Sequence, residues 1–373
     1  MNKKEIAEIK KQFKPDKCAI SRICGCYVDA EKNKKLTMSR TFLALPEDEL
    51  LKYLEILKKS LSGTLGKNLM NLDFPLEAEA EGGMQHFLLQ LRDSGLEDEA
   101  LLDAFYDKII ENYDYAENYL ILLAHAAYDV PGKASDGLDM FDASDDVFTY
   151  LVCSVCPVKL SKPGLAYFEK ENEFADRVRD WVVEMPALGF LFPLFNDRAT
   201  DIHGMLYYAK NAEQLYQGMV EELFGCLVPL SAGTQKDSFN ILVENTLGED
   251  CAYDTVVAIH EKLNEIIEAQ KEEPDPVALT RGEVKRLLEE SGVDDSLLEN
   301  FDEQYQMAAG SQPALMAANI TNTRKTEIRA SDIVISTEPA KASMIETRVI
   351  DGRKCLVIPM EGEIEVNGIH VKP

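Results

Sequence analysis

Long apolar runs are missing from this chain of 373 residues. The longest, Tyr119 to Tyr128, is interrupted by His125 and is about half the ~20 residues that a membrane helix needs. Met1 to Ile6 carries two lysines with no apolar stretch behind them, so it reads as neither a secretory signal nor an anchor. A cytoplasmic protein with no membrane partner is the expectation. Positive charge is also short: 39 Lys and Arg stand against 66 Asp and Glu, for a net −27. That balance disfavours generic contact with nucleic acid or anionic lipid, whose phosphates are met by Lys and Arg. Tryptophan occurs once and histidine five times. No nucleophile elbow, dinucleotide glycine fingerprint or kinase motif occurs, and no repeat of solenoid period.

What is present is an ordinary globular composition, 46% hydrophobic and 28% charged, long enough for two to three domains with their own cores. The eight cysteines fit a reducing compartment, where cysteine serves as a small buried hydrophobe. Charge is uneven along the chain. Residues 1 to 70 hold 15 Lys and Arg and 9 Asp and Glu, a local +6, which leaves −33 on the remainder. The basic stretch reads as a solvated face, or as a surface for an anion or for the protein's own acidic part in an oligomer.

Helical periodicity covers residues 2 to 12, ended by Pro15, and a segment entered through Leu45-Pro46-Glu47 that ends near Gly63. One or two amphipathic helices follow over 83 to 112. The texture then changes to strands. Ala19 to Asp29, Tyr119 to Tyr128, Val147 to Val158, Leu165 to Glu169, Arg179 to Val183, Gly189 to Phe195 and Met205 to Tyr208 read as short strands, several pairing in an antiparallel meander. Helices return at 211 to 224, 235 to 247 and 252 to 269. Lys271 to Pro276 reads as a linker, Thr280 and Glu283 as a capping box, and an acidic helix runs to about Met307. Asp351-Gly352 predicts a tight hairpin between Ile345 to Ile350 and Arg353 to Ile358, with Glu363 to Val366 as a third strand.

Each candidate for chemistry has a plainer reading beside it. Cys24-Gly25-Cys26 and Cys153-x-x-Cys156 could together supply four zinc ligands, but in strands i and i+3 point to opposite faces, so buried structural cysteines are expected. Ser62 to Asn68 has the look of a phosphate loop with the wrong glycine spacing and no magnesium-binding hydroxyl, and reads as a helix cap and turn. Asp136, Asp139, Asp142 and Asp145 recur every third residue, which is not the alternate spacing of a calcium loop. Asn196 to His203 gathers Asp197, Arg198, Asp201 and His203, groups that general acid-base chemistry uses and that an ordinary loop also uses. Asp129 and Lys133 sit in the Asp-Val-Pro-Gly-Lys turn at the end of the most apolar strand, where α/β proteins often present ligands. His86, His125, His260 and His370 are isolated, and none has a second histidine at helical i+4.

Several phrases together carry a resemblance: RICGCYVD at 22 to 29, LSGTLGKNL at 61 to 69, ENYDYAENYLILL at 111 to 123, YDVPGK at 128 to 133, SDGLDMFDASD at 135 to 145 and FLFPLFNDRATDIH at 190 to 203. Over nearly its whole length the chain resembles a bacterial family known as domain of unknown function four-three-one-seven. The resemblance implies a bacterial cytoplasmic protein and carries over no activity and no site residue. The C-terminal half, with Leu223 to Cys226 and RVIDGRKCLVIP at 348 to 359, is similar over these short motifs to bacterial nucleoid-associated proteins, without their basic stripe.

The expected architecture is α+β: a mixed region over 1 to 225 built on a mostly antiparallel sheet, a helical region over 226 to 310, and a hairpin tail over 311 to 373 that packs back on the body. The expected function is a non-enzymatic binding or regulatory protein with an unknown protein or small-molecule partner, no metal and no cofactor. Candidate ligand-binding residues are Asp129, Lys133, Asp197, Arg198, Asp201 and His203. The alternatives are a nucleoid-associated DNA-binding protein and a hydrolase that uses the Asp197 to His203 loop with the Asp129 to Lys133 turn.

Overall fold

Near-continuous apolar runs in the central strands of the first 210 residues build a sheet with two buried faces. The computed structural model describes residues 1–133, 139–310, 312–359, 364–366 and 369–371. The chain divides into two compact units, Met1–Ser231 and Ala232–Pro373. The first unit is built on an eight-stranded sheet. Its strands are β1 (Ile20–Val28), β2 (Lys34–Thr41), β3 (Leu69–Asp73), β4 (Tyr119–Lys133) and β5 (Asp139–Leu160). After a hairpin of β6 (Leu165–Phe168) and β7 (Glu173–Asp176) come β8 (Trp181–Val183), β9 (Leu188–Phe192), a second hairpin of β10 (Leu194–Asn196) and β11 (Ala199–Asp201), and β12 (Gly204–Ala209). The order across the sheet is β2-β1-β4-β5-β9-β12-β3, with β8 pairing the far end of β5, and every pairing is antiparallel.

Both faces carry helices, so the side-chain alternation of each strand separates two cores. Cys24, Ile121, Cys153, Phe190 and Tyr207 point into one core. It is closed by α3 (Leu76–Glu79), α4 (Met84–Asp93), α5 (Glu99–Asn112) and a short π-helical turn at Gly218–Leu223. Ile23, Leu122, Val152, Leu191 and Leu206 point into the other, closed by α1 (Lys3–Lys10) and α2 (Glu47–Lys59). Gly189 lets α2 come close. A Cβ there would lie 2.4 Å from Ser60 Oγ and 2.5 Å from the Cys153 carbonyl oxygen. In the space that glycine leaves, Ser60 and Ser154 share a hydrogen bond of 2.8 Å between hydroxyls that are both fully buried.

Among its described residues the second unit has four helices of two turns or more, α6 (Ala232–Leu247), α7 (Tyr253–Ala269), α8 (Arg281–Glu290) and α9 (Phe301–Ala309), with a short ladder between Ala278–Thr280 and Ala314–Met316. The capping box of α8 forms as its sequence predicts, Thr280 accepting from Glu283 N and Glu283 from Thr280 N. The Asp351-Gly352 hairpin also forms, both residues at positive φ, 50° and 75°. Two expectations change. The helix read over 211 to 224 shrinks to the turn at Gly218–Leu223, because Tyr216 and Gly225 adopt positive φ on either side of it. The third tail strand, Ile364–Val366, pairs with Ile369–Val371 rather than with the hairpin.

Candidate functional site

Glu5 and Glu8 lie one turn apart on α1, and both face the β10–β11 hairpin. Asp197 and Arg198 form its two-residue tip at φ 49° and 61°, a left-handed turn that glycine would take more readily. The contacts that hold it are specific. Glu5 accepts from Asn2 N and from Asp197 N, each at 2.7 Å, so one carboxylate caps α1 and pins the turn. Arg198 donates through Nη1 to both Glu8 oxygens at 2.8 and 2.9 Å and through Nη2 to the Pro131 carbonyl at 2.8 Å. Tyr128 OH donates to the same Glu8 at 2.9 Å.

The two segments singled out in the sequence therefore meet, through Arg198 and Pro131, and Arg198 is consumed in joining α1, β4 and the hairpin. Asp201 is likewise engaged, accepting from Asn196 Nδ2 at 2.8 Å and His203 N at 3.0 Å. His203 turns to Glu79, Nδ1 to Oε1 2.7 Å, and its pKa is raised by that carboxylate. Its side chain is 69% exposed, so it lacks the buried setting of a tuned general base. Asp129 is exposed on β4. The side chains from Lys133 to Asp145, the acidic loop included, lie outside the described residues.

The cysteine pairs stand on separate strands. Cys24 pairs with Leu123, which pairs with Cys153; an intervening strand puts the two backbones ~10 Å apart. Burial pushes the Cys26 thiol up to about 11 and the Cys156 thiol up to about 12, so both are protonated packing residues. Among the described residues no group of three His, Cys, Asp or Glu is arranged to hold a metal ion. The Ser62 to Asn68 turn spends its donors on itself: the amides of Lys67, Asn68 and Leu69 all reach the Thr64 carbonyl and that of Gly66 the Leu69 carbonyl. Those four amides are not free to cradle a phosphate.

A larger concavity lies in the second unit, away from every motif singled out above. It encloses about 680 Å³ between α6, α7, the strand Thr326–Ala330 and the Pro339–Met344 turn. Tyr253, Val256, His260 and Asn264 recur along one face of α7 at helical spacing and line it. His260 Nδ1 lies 3.2 Å from Thr321 Oγ1, its ring is edge-on to Phe239, and burial lowers its pKa, aided by the charge of Lys236. It is neutral at pH 7. Asn264 Oδ1 is buried with no hydrogen-bond partner among the described residues. Of the cations at the rim, Lys325 and Arg329 are both paired with Glu327, whereas Lys236 forms no ion pair among the described residues.

Comparison with family models decides the affiliation. The model described as Domain of unknown function (DUF4317) matches residues 1–369. The chain belongs to that family. No curated protein matches it, and the motif-level similarity to nucleoid-associated proteins gains no support. The single DUF4317 match spans both the sheet unit and the helical unit. Among the described residues no helix is long and apolar enough to cross a membrane.

Proposed function

We propose that this is a non-enzymatic binding protein of the bacterial cytoplasm, and that the α6–α7 pocket of its second unit is the ligand site. One observation carries the reading: Asn264 Oδ1, buried without a donor at the wall of a 680 Å³ pocket. A polar atom desolvated without a partner costs about 1–3 kcal/mol, and a ligand N–H or O–H would recover that. Neutral His260 adds a second orienting group, and Lys236 offers an unpaired positive charge. The ligand class that fits is a small polar anion with at least one hydrogen-bond donor, enclosed by the apolar faces of Val256 and Ile320.

The test is native mass spectrometry of the untagged full chain, before and after incubation with a small-molecule extract, for wild type and Asn264→Leu. Leucine fills the space and removes the unpaired oxygen, so the variant should melt no lower than wild type. A small adduct on wild type that Asn264→Leu lacks supports the site. Bare protein in both, or an adduct that survives the substitution, sinks it.

Contact between Arg198 and Pro131 favours a second reading, a hydrolase at the Asp197 to His203 loop. Turnover of an ester or phosphoester that disappears with His203→Ala would establish it, and unchanged turnover would dispose of it.

A further inference from the structure

A distinct feature of the first unit points outward. Lys3, Lys10, Lys11, Lys14 and Lys58 rim a groove of about 280 Å³ between α1 and the end of α2, with an apolar floor from Ile6 and the Leu61 to Leu69 stretch. No acidic side chain lines it. None of the five lysines forms an ion pair among the described residues, while Glu5 and Glu8 of the same helix are committed to the β10–β11 turn. Burial lowers the Lys10 pKa, and the charges of Lys58 and Lys59 lower it further, the mark of positive charge left uncompensated.

Helix ends alone do not account for this charge. The C-termini of α1 and α2 present roughly half a negative charge each, about one in total against five ammonium groups. The remaining chain is strongly acidic, with a net −27 overall, so this groove is a local inversion of the protein's field.

We propose that the groove docks an acidic amphipathic peptide segment of a partner protein. The floor is recessed: Leu61 is 1% and Leu69 2% exposed. A projecting apolar side chain enters such a groove, whereas a flat bilayer does not reach it. Screening confines the groove's field to ~8 Å at physiological salt, a reach that suits a short peptide lying in the groove better than an extended nucleic acid or membrane. The docking mode is helix-in-groove, with apolar anchors at i, i+3 and i+4 on the floor and acids on the rim.

Fluorescence anisotropy with the full chain tests this, using a labelled peptide of roughly fifteen residues, long enough to form a helix, with leucines at i, i+3 and i+4 and glutamates elsewhere. A scrambled peptide of the same composition is the control. The expected result is saturable binding that prefers the ordered peptide, weakens with salt, and falls about tenfold or more in the Lys10→Glu, Lys58→Glu double variant. The Lys10→Arg, Lys58→Arg variant should retain it. If charge reversal perturbs folding by circular dichroism, Lys10→Gln with Lys58→Gln replaces it. Absence of saturable binding, equal binding of the scrambled peptide, or tighter binding to anionic vesicles or duplex DNA would overturn the proposal. So would self-association of the wild type that the same substitutions abolish, because the occupant would then be a second copy of this chain.

Discussion

Whether Arg198 is a structural clasp or a ligand group can be decided by its effect on stability. Arg198→Ala removes two interactions, the bonds to Glu8 and the bond to the Pro131 carbonyl. Hydrogen bonds to charged groups contribute about 1.5–3 kcal/mol each. The Arg198 and Glu8 side chains are each 23% exposed, so partial screening brings the expected loss to about 2–3 kcal/mol. Arg198→Gly removes the same bonds but relieves a residue held at φ 61°, where an L side chain costs about 1 kcal/mol. Glycine should therefore be more stable than alanine by about 1 kcal/mol, and still less stable than wild type. Trp181, the only tryptophan, is 57% exposed and a poor reporter, so scanning calorimetry of the full chain is the assay. For a unit of this size the alanine variant should lower the first unit's transition by roughly 5–10 °C. Glu8→Gln should then cost less in the Arg198→Ala background than alone, since the two share the interaction. An alanine variant within about 0.5 kcal/mol of wild type would refute the clasp and return Arg198 to the list of ligand groups. Glycine no better than alanine would refute the backbone argument.

Two histidines should show opposite linkage to pH. The pKa of His203 is raised by Glu79, so its stabilisation is present below about 6.5 and is lost as pH rises through the folded value. An imidazole NMR titration should place it above 6.5, and Glu79→Gln should bring it back. The pKa of His260 is lowered by burial, so the second unit keeps its stability above about 6.5 and loses it as pH falls through that range; a His260 titration midpoint above 6.5 would contradict this. Gly189→Ala should cost about 3 kcal/mol, the upper range of overpacking, because the new methyl meets a backbone carbonyl at 2.5 Å. Gly164→Ala, with nothing within 4 Å, should stay within about 0.5 kcal/mol in the same denaturant series. A thiol reagent on native protein should label at most Cys18, Cys251 and Cys355, the cysteines not buried, with all eight reacting in denaturant.

What the sequence made legible in the fold follows one rule: segments whose local pattern agrees with their burial were readable. The strands of the sheet alternate or run apolar, the Asp351-Gly352 turn needs two positive φ values, and the Thr280 cap has its glutamate three residues on. The region 211 to 224 reads as a helix because its apolar spacing is helical, whereas Tyr216 is held at φ 53°, which no propensity signals. The hairpin of Thr326–Ala330 and Ile333–Thr337 went unread because most of its residues are exposed on both faces, leaving no period-two contrast between core and solvent.

The candidate site was readable only as composition. Asp, Arg and His crowd into eight residues after Phe195, and chemistry and plain loop architecture use the same groups there. What separates the readings is the far partner: Glu8 for Arg198, Glu5 for the Asp197 amide and Glu79 for His203, at separations of 190, 192 and 124 residues. No local pattern encodes such distances. His260 shows the converse. In the sequence it is isolated, with Asn264 rather than a second histidine at i+4, yet that pair, one helical turn apart, faces a pocket of about 680 Å³. An unsatisfied amide oxygen becomes evidence of a site only when its burial and its missing donor are both known, and burial is a property of the assembled unit rather than of the helix that carries the residue.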